Sequence, residues 1–531
     1  MTNESGTVWL TFNGEIYNAP ALRNELEALG HRFASSTDTE VLVHGYEAWG
    51  IEDLLTRIRG MFAFAVYDTE TGKLVLARDR FGIKPLVYTQ QAENFVFASE
   101  LKALRADPAL TFTLDEAGVR DFLVYSYVPH PKTIYREAKK LPPAHYLTYV
   151  PASGELKLHR YWTLATADNH LPPAELLTRF ETLLTTALSE HYLSDVPVGL
   201  FLSGGYDSSA LALLSTRLGH RPAAFSLGFA HSERSEHRQA RSVAERLGIA
   251  YREEMIPTDD PLLASLQPIY SYYDEPCAVS SLLSYHRVSK LASRTHKVVL
   301  AGDGGDELLA GYAWHYTAYR RATGTGWRGI AKRWRERLLG RWLRAHDRSL
   351  SGIYPDLVAS HLLSPTWETA LRRSPYWYFR THDRPDLPPP QRSQWLDTHT
   401  FMLGDCLNRA DTSSMYNSLE VRVPFLDHRL FELLYSLRPT DYFRPSVKKW
   451  PLHELIKHAV PPEILQMPKR GFSYQHVPAL FDERLHARLR NGQAIERGWF
   501  RKGTDIERLP VNVKWHWLML ELWLENQHPC K

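Results

Sequence analysis

Cysteine is scarce in this sequence. Three of 531 residues carry a thiol (Cys277, Cys406 and Cys530), and no two form a CxxC pair. That excludes a disulfide framework, and it suits a reducing cytoplasm. No run approaches the ~20 apolar residues that span a bilayer. The N-terminus has no basic segment followed by an apolar one, so no secretory signal is predicted. An excess of charge is missing as well. Lys and Arg total 63 against 60 for Asp and Glu, a net charge of +3. Such a balance gives no case for nucleic acid or an anionic membrane surface as partner. There is no internal repeat and no GxxxxGK[ST] motif, so the Walker phosphate loop is excluded. What remains is a globular composition, 44% hydrophobic and 23% charged, at a length that favours two to four domains.

The first part alternates strands and helices. Residues 7–12 (VWLTFN), 61–67 (MFAFAVY), 74–77 (LVLA) and 95–98 (FVFA) are rich in aromatic and β-branched residues, as strands are. Helical patterns over 20–30 and 39–49 lie between the first two. The mixture predicts a sheet layered with helices. Residues 129–172, rich in proline and short polar runs, read as a connector into a second domain. From about 175 the pattern changes. An amphipathic helix precedes the short apolar run Val198–Leu202, and "AAFSLGF" (223–229) and "KVVLAGDGGDE" (297–307) repeat a strand-then-loop arrangement. Apolar strands joined by helices predict a parallel α/β sheet, with ligands at the carboxyl ends of its strands. The Arg/Trp-rich segment 320–348 reads as a solvated helical face, and "RPDLPPPQR" (384–392) as a rigid loop.

Two loops at those strand ends carry chemistry. In "SGGYDSS" (203–209), Gly204 and Gly205 permit a tight turn close to a ligand. Backbone N–H groups and the helix that follows then form an anion site. Ser203, Ser208 and Ser209 add hydroxyls, and Asp207 tolerates a phosphate only across a cation such as Mg²⁺. In "GDGGDE" (302–307), Asp303, Asp306 and Glu307 arrive at the same sheet edge. Clustered carboxylates need a compensating cation, and one Mg²⁺ shared by Asp207 and Asp306 meets that need.

These residues carry a family resemblance. "SGGYDSS" with "GDGGDELLAGY" (302–312) resembles the ATP-pyrophosphatase domain of glutamine-dependent asparagine synthetases. "DTSSMYNSLEVRVPFLDHRL" (411–430), "VKKWPLHELI" (447–456), "VPPEIL" (460–465) and "PKRGF" (468–472) follow in that family's order. "NGEIYN" (13–18), "STDTEVL" (36–42), "GMFAFAVYD" (60–68) and "ARDRFGIKPLVY" (77–88) resemble its glutaminase domain. The resemblance covers nearly the whole chain. It implies an N-terminal nucleophile-type glutaminase domain of layered αββα form over 1–165, lacking its first portion, and a parallel-sheet synthetase domain over 175–531. It also implies ATP and Mg²⁺ as cofactors, and aspartate with ammonia or glutamine as substrates. A homodimer is compatible with it.

Carried over residue by residue, the resemblance sets Leu202, Leu227, Ala301, Gly302 and Tyr312 around the nucleotide. It sets Ser203, Gly204, Gly205, Asp207, Ser208 and Ser209 around its phosphates, and Asp207 and Asp306 on Mg²⁺. Asp303, Arg409 and Lys449 take catalytic positions. Asn13, Gly14, Glu15 and Asp38 match glutamine contacts. Two departures stand out: Pro451 and His453 in a segment that is usually a regular helix with an arginine, and Val279 where many relatives carry an aspartate.

The family's glutaminase nucleophile is an N-terminal cysteine whose α-amino group is the base. Position 1 here is Met, the first cysteine is Cys277, and no RGPD segment precedes "NGE". The expectation is that Met1 corresponds to an internal methionine of a longer protein. The alternative is a short form fed by free ammonia or by a separate glutaminase. In either case the remaining pocket can recognise glutamine and lacks the group that cleaves it. Two other functions stay open at this stage. β-Lactam synthetases and lasso-peptide cyclases share the architecture and close rings on an internal amine, and a non-catalytic protein would bind nucleotide without turnover.

Overall fold

The computed structural model describes residues 1–230, 235–257, 262–323, 353–373, 375–466 and 483–527. Segments 320–348 and "PKRGF" lie largely or wholly outside the described residues.

Strands β1 (Val8–Ile16), β2 (Gly60–Asp68) and β3 (Lys73–Arg78) open the N-terminal part, followed by β4 (Val87–Gln91) and β5 (Asn94–Ala98). The expected connector is not one. Residues 129–160 supply β6 (Ala138–Lys140), β7 (His145–Val150) and β8 (Glu155–Arg160). They complete a five-stranded sheet, β1-β2-β3-β7-β8, and a three-stranded sheet, β5-β4-β6. The strand pairings within both are antiparallel. Prolines at 142 and 143 hid β7 because they precede it, where a strand tolerates them. One face of the larger sheet packs on the helices Ala19–Ala28 and Thr39–Arg57 through Leu22, Leu26, Val41, Leu54 and Phe64. Its other face meets the smaller sheet through Ala63, Leu76, Leu86, Tyr88 and Leu147. The helix Leu101–Arg105 lies against β4 and β5. The order is helix, sheet, sheet, helix: the layered αββα arrangement. The helix Thr39–Arg57 is broken at Gly50, whose φ of 69° lies outside the helical region, which is where its periodic pattern ends.

The C-terminal part is built on a second five-stranded sheet. Its strands are β9 (Val198–Phe201), β10 (Ala224–Phe229), β11 (Tyr251–Ile256), β12 (Val298–Leu300) and β13 (Glu420–Arg422). All four pairings are parallel, and the spatial order is β11-β10-β9-β12-β13. The chain therefore runs outward from β9 to β11, then returns to place β12 on the other side of β9. The crevice between the ends of β9 and β12 is the switch point at which such sheets bind ligands. Helices cover the sheet, and the last of them, Val511–Glu525, is buried over nearly its whole length, including Trp517 and Trp523.

The two parts meet over an extensive junction. Lys84 Nζ donates to Asp411 Oδ1 at 3.1 Å, Arg59 pairs with Glu190 at 2.6 Å, and Asp274 accepts the backbone N–H groups of Leu101 and Lys102. Phe81 packs on Phe431.

Candidate active site

β9 ends in the turn Ser203–Gly205, which opens the helix Tyr206–Arg217. β12 ends in Ala301–Gly304, which opens the short helix Gly305–Leu308. The strand order sets these turns side by side, and glycine lets them touch. A Cβ on Gly305 would stand 2.6 Å from Asp207 Oδ1, and one on Gly311 would stand 1.9 Å from Asp306 Oδ1. Beneath them lies a cavity of about 600 Å³. Leu202, Ser203, Asp207, Ser208, Ala301, Gly302, Asp303, Asp306, Tyr312 and Arg409 all line it. Gly204, Gly205, Leu227 and Lys449 are not on its wall, although Ser226 beside Leu227 is. Ser209 points the other way: it is fully buried, and its hydroxyl faces the interior rather than the cavity. In a helix that begins at Tyr206, Ser208 and Ser209 are about 100° apart, so only one of them can face the ligand side.

Lys449 ties the two loops together. Its ammonium lies 2.6 Å from both oxygens of Asp207 and 2.6 Å from Asp306 Oδ1, with the side chain almost wholly buried. The residue holds a left-handed backbone, φ 41°, immediately before the helix Trp450–Ile456, a conformation that costs a non-glycine residue energy. Pro451 sits in the first turn of that helix, where a missing N–H breaks no bond. It is therefore compatible with a regular helix here. Two carboxylates from separate loops thus converge on one positive charge. Oxygen donors in this arrangement suit a hard divalent cation, so Asp207 and Asp306 fit Mg²⁺.

Asp303 stands across the cavity. Its Oδ2 accepts from the Tyr285 hydroxyl at 3.0 Å and its Oδ1 from Arg409 at 3.3 Å. Arg409 also donates to Asp405 at 3.2 Å and to Ser281. The π-helical turn Met402–Leu407 leads into the helix Asn408–Met415, an irregularity that often marks functional sites. Burial, opposed by Arg409, pushes Asp405 up to about 6. Glu307 does not reach the sheet edge as an exposed acid. It is buried, accepts from the Tyr312 hydroxyl at 2.7 Å, and burial aided by Asp306 pushes it up to about 8. Sequence reasoning missed Ser281, Tyr285 and Asp405. The spacing of Asp405 and Arg409, four residues apart on a helix, is the one signal that could have found them.

The presumed glutamine contacts lie in β1 and just before the helix Thr39–Arg57. Asn13 donates to Ser99 at 3.3 Å, and Asp38 Oδ2 accepts from the Ile16 N–H at 2.7 Å. Gly14 lies so close to β2 that a Cβ would meet Met61 O at 2.0 Å. Glu15 faces the other half of the molecule, 2.9 Å from Arg422. That guanidinium is shared with Glu420 at 2.6 Å, so burial outweighs it and Glu15 is pushed up to about 7. In the unfolded chain the same carboxyl titrates near ~4.3. The native state therefore keeps the proton over the intervening window. The stability this confers is complete below the unfolded value and is lost as pH rises through about 7. Glu15→Gln is expected to flatten that decline in urea denaturation followed between about pH 4.5 and 7.5. An unchanged slope would assign it to other groups.

Between Ser99 and the helix Asn408–Met415 lies a smaller cavity of about 90 Å³, lined by residues of both halves. Cys277 and Cys406 are both buried, and burial pushes the Cys277 thiol up to about 12. Neither is poised as a nucleophile.

Comparison with known proteins identifies the family. The Asparagine synthase family model matches residues 179–525, and the Glutamine amidotransferase domain model matches residues 1–162. A Mycobacterium tuberculosis protein described as a putative asparagine synthetase (glutamine-hydrolyzing) is 33% identical over 98% of this chain and 81% of its own length. Asparagine synthetase (glutamine-hydrolyzing) 1 of Bacillus subtilis is 31% identical over 89% of this chain and 76% of its own. A Penicillium rubens protein described as amidase chyE is 27% identical over 88% and 77%. The chain belongs to the asparagine synthase family and carries a glutamine amidotransferase domain ahead of the synthase domain.

Proposed function

We propose that the chain converts aspartate to asparagine through β-aspartyl-AMP, releasing pyrophosphate and then AMP. The observation that carries this reading is the convergence of Asp207, Asp306 and Lys449 at the mouth of the cavity that Asp303 and Arg409 also face. The two units, 1–165 and 175–531, divide the work between nitrogen supply and ligation.

A carboxylate does not react with ammonia, because its oxygen is a poor leaving group. The aspartate side chain must first attack the α-phosphorus of ATP, so that pyrophosphate departs and the carboxyl becomes an adenylate. Ser203, Ser208 and the N-terminal N–H groups of the helix Tyr206–Arg217 are placed to receive phosphate oxygens. Lys449 turns from its carboxylates to the departing pyrophosphate and stabilises its charge. Asp207 and Asp306 would hold Mg²⁺, which would supply further neutralisation of that charge. Ammonia then attacks the acyl carbon and AMP leaves. Asp303, oriented by Tyr285 and Arg409, accepts the proton that the attacking nitrogen loses.

Nitrogen enters this reaction as ammonia, either free in solution or released from glutamine. Asn13 and Asp38 are the residues matched to glutamine contacts, and Asp38 already holds the Ile16 N–H. The test is pyrophosphate release by this chain with Mg-ATP and aspartate, comparing ammonia with glutamine. Asparagine from ammonia alone supports the reading. Absence of aspartate-dependent release from a folded, ATP-binding chain rejects the acceptor. In the same assay Asn13→Ala is expected to leave ammonia-dependent synthesis unchanged. A collapse would show that the two units do not divide the work in this way.

A further inference from the structure

A second cluster lies away from this chemistry, at the base of the helix Thr39–Arg57. His44 is buried there, 2% exposed, and both of its ring nitrogens lack a hydrogen-bond partner. Leaving such groups unpaired in the interior is unfavourable. The neighbouring acids approach the ring only at long ion-pair distance. Glu47 Oε2 is 3.4 Å and Glu4 Oε2 3.9 Å from Nδ1, and Glu40 Oε1 is 3.5 Å from Nε2. Glu40 is already committed to the N–H groups of Ala34 and Ser35 and to the Ser35 hydroxyl. Glu47 spends its Oε1 on Asn3, which leaves Oε2 on the side of the imidazole. The ring of His31 lies 5.0 Å from that of His44. One ligand atom each from His31, His44 and Glu47 fall within 4.8 Å of one another.

We propose that His31, His44 and Glu47 form a zinc site, with the exposed Glu4, which lies outside that triad and 3.9 Å from His44 Nδ1, drawing in as the fourth ligand. Two imidazoles with carboxylate oxygen suit zinc better than Mg²⁺ or Ca²⁺, which prefer oxygen alone. A tetrahedral zinc sets its ligand atoms roughly 3.4 Å apart. His44 and Glu47, three residues apart on one helix face, already have that separation. His31 must draw in by at most about 1.4 Å to match it, and its side chain is only partly buried. The site is structural. It clamps the loop 31–38 and the N-terminal turn at Asn3 and Glu4 onto the helix, and so fixes Asp38, which immediately precedes that helix and holds the Ile16 N–H.

The test uses the full chain, stripped with a chelator. It is titrated with Zn²⁺ against a chromophoric competitor, and with Co²⁺ followed by its visible absorption. The expected result is one Zn²⁺ per chain and a Co²⁺ spectrum of tetrahedral intensity. His31→Ala and Glu47→Gln, both at side chains open to solvent, are expected to weaken binding at least about 10-fold with unchanged circular dichroism. Asp306→Asn is expected to leave it intact, which separates this site from the nucleotide site. Absence of a saturable equivalent, or one that survives the His31→Ala/Glu47→Gln double variant, overturns the proposal and leaves His44 as a histidine among glutamates.

Discussion

Asp306→Asn is expected to cut Mg²⁺-dependent pyrophosphate release by roughly 100- to 1,000-fold, the size of effect seen when one electrostatic contact to a developing charge is removed. The substitution keeps the shape of the side chain and removes its charge. Asp306 is buried beside Gly311, where nothing larger than glycine fits, so the isosteric change isolates charge from packing. The contact with Lys449 at 2.6 Å becomes a hydrogen bond to a neutral amide. The measurement is pyrophosphate release at saturating ATP and aspartate, over a range of Mg²⁺ concentrations. A higher Mg²⁺ requirement with a recoverable maximal rate places Asp306 in metal binding alone. A rate that stays low at all Mg²⁺ concentrations places it in the transition state too. Near-normal release at ordinary Mg²⁺ would refute the assignment of Asp306 as a ligand.

The parts of this site that were legible in the sequence share one property. β9 and β12 are buried on both faces, so they read as uninterrupted apolar runs, and each ends in a glycine-rich turn that only a close approach requires. β11 was not legible. Its sequence, Tyr-Arg-Glu-Glu-Met-Ile, is largely solvated at the edge of the sheet, and it shows no apolar run. β13 is three residues long and contains two charges, Glu420 and Arg422, which are needed at the junction with β1. Tyr285 comes from a helix with an ordinary pattern and Asp405 from a π-helical turn, and only tertiary packing brings Tyr285 to Asp303 and Asp405 to the Arg409 that pairs with it. The connector reading failed for a related reason. β6 and β7 pair with β4 and β3, far earlier in the chain, and no local pattern announces partners so distant.

Lys449→Met is expected to have the largest effect on the unliganded protein. With Lys449 in place, two carboxylates that repel one another share an ammonium at 2.6 Å. Methionine keeps most of the volume and supplies no charge. Removing one member of a buried ion pair costs about 3–5 kcal/mol, and here two carboxylates are left facing each other. The left-handed backbone at position 449 is unaffected by the exchange, since neither side chain favours it. In the absence of divalent ions the variant is therefore expected to unfold at clearly lower urea concentration than the parent. Millimolar Mg²⁺ is expected to return most of the difference, because the ligands are freed for it. The parent should gain less from the same Mg²⁺, since there the ion competes with the ammonium. Catalysis separates the roles of the lysine. If it stabilises pyrophosphate as it leaves, the restored variant still releases none at a useful rate. If its work ends at holding the two loops together, Mg²⁺ returns activity along with stability. Equal stability of parent and variant without divalent ions would show that the three-way contact is not what holds the two loops in register.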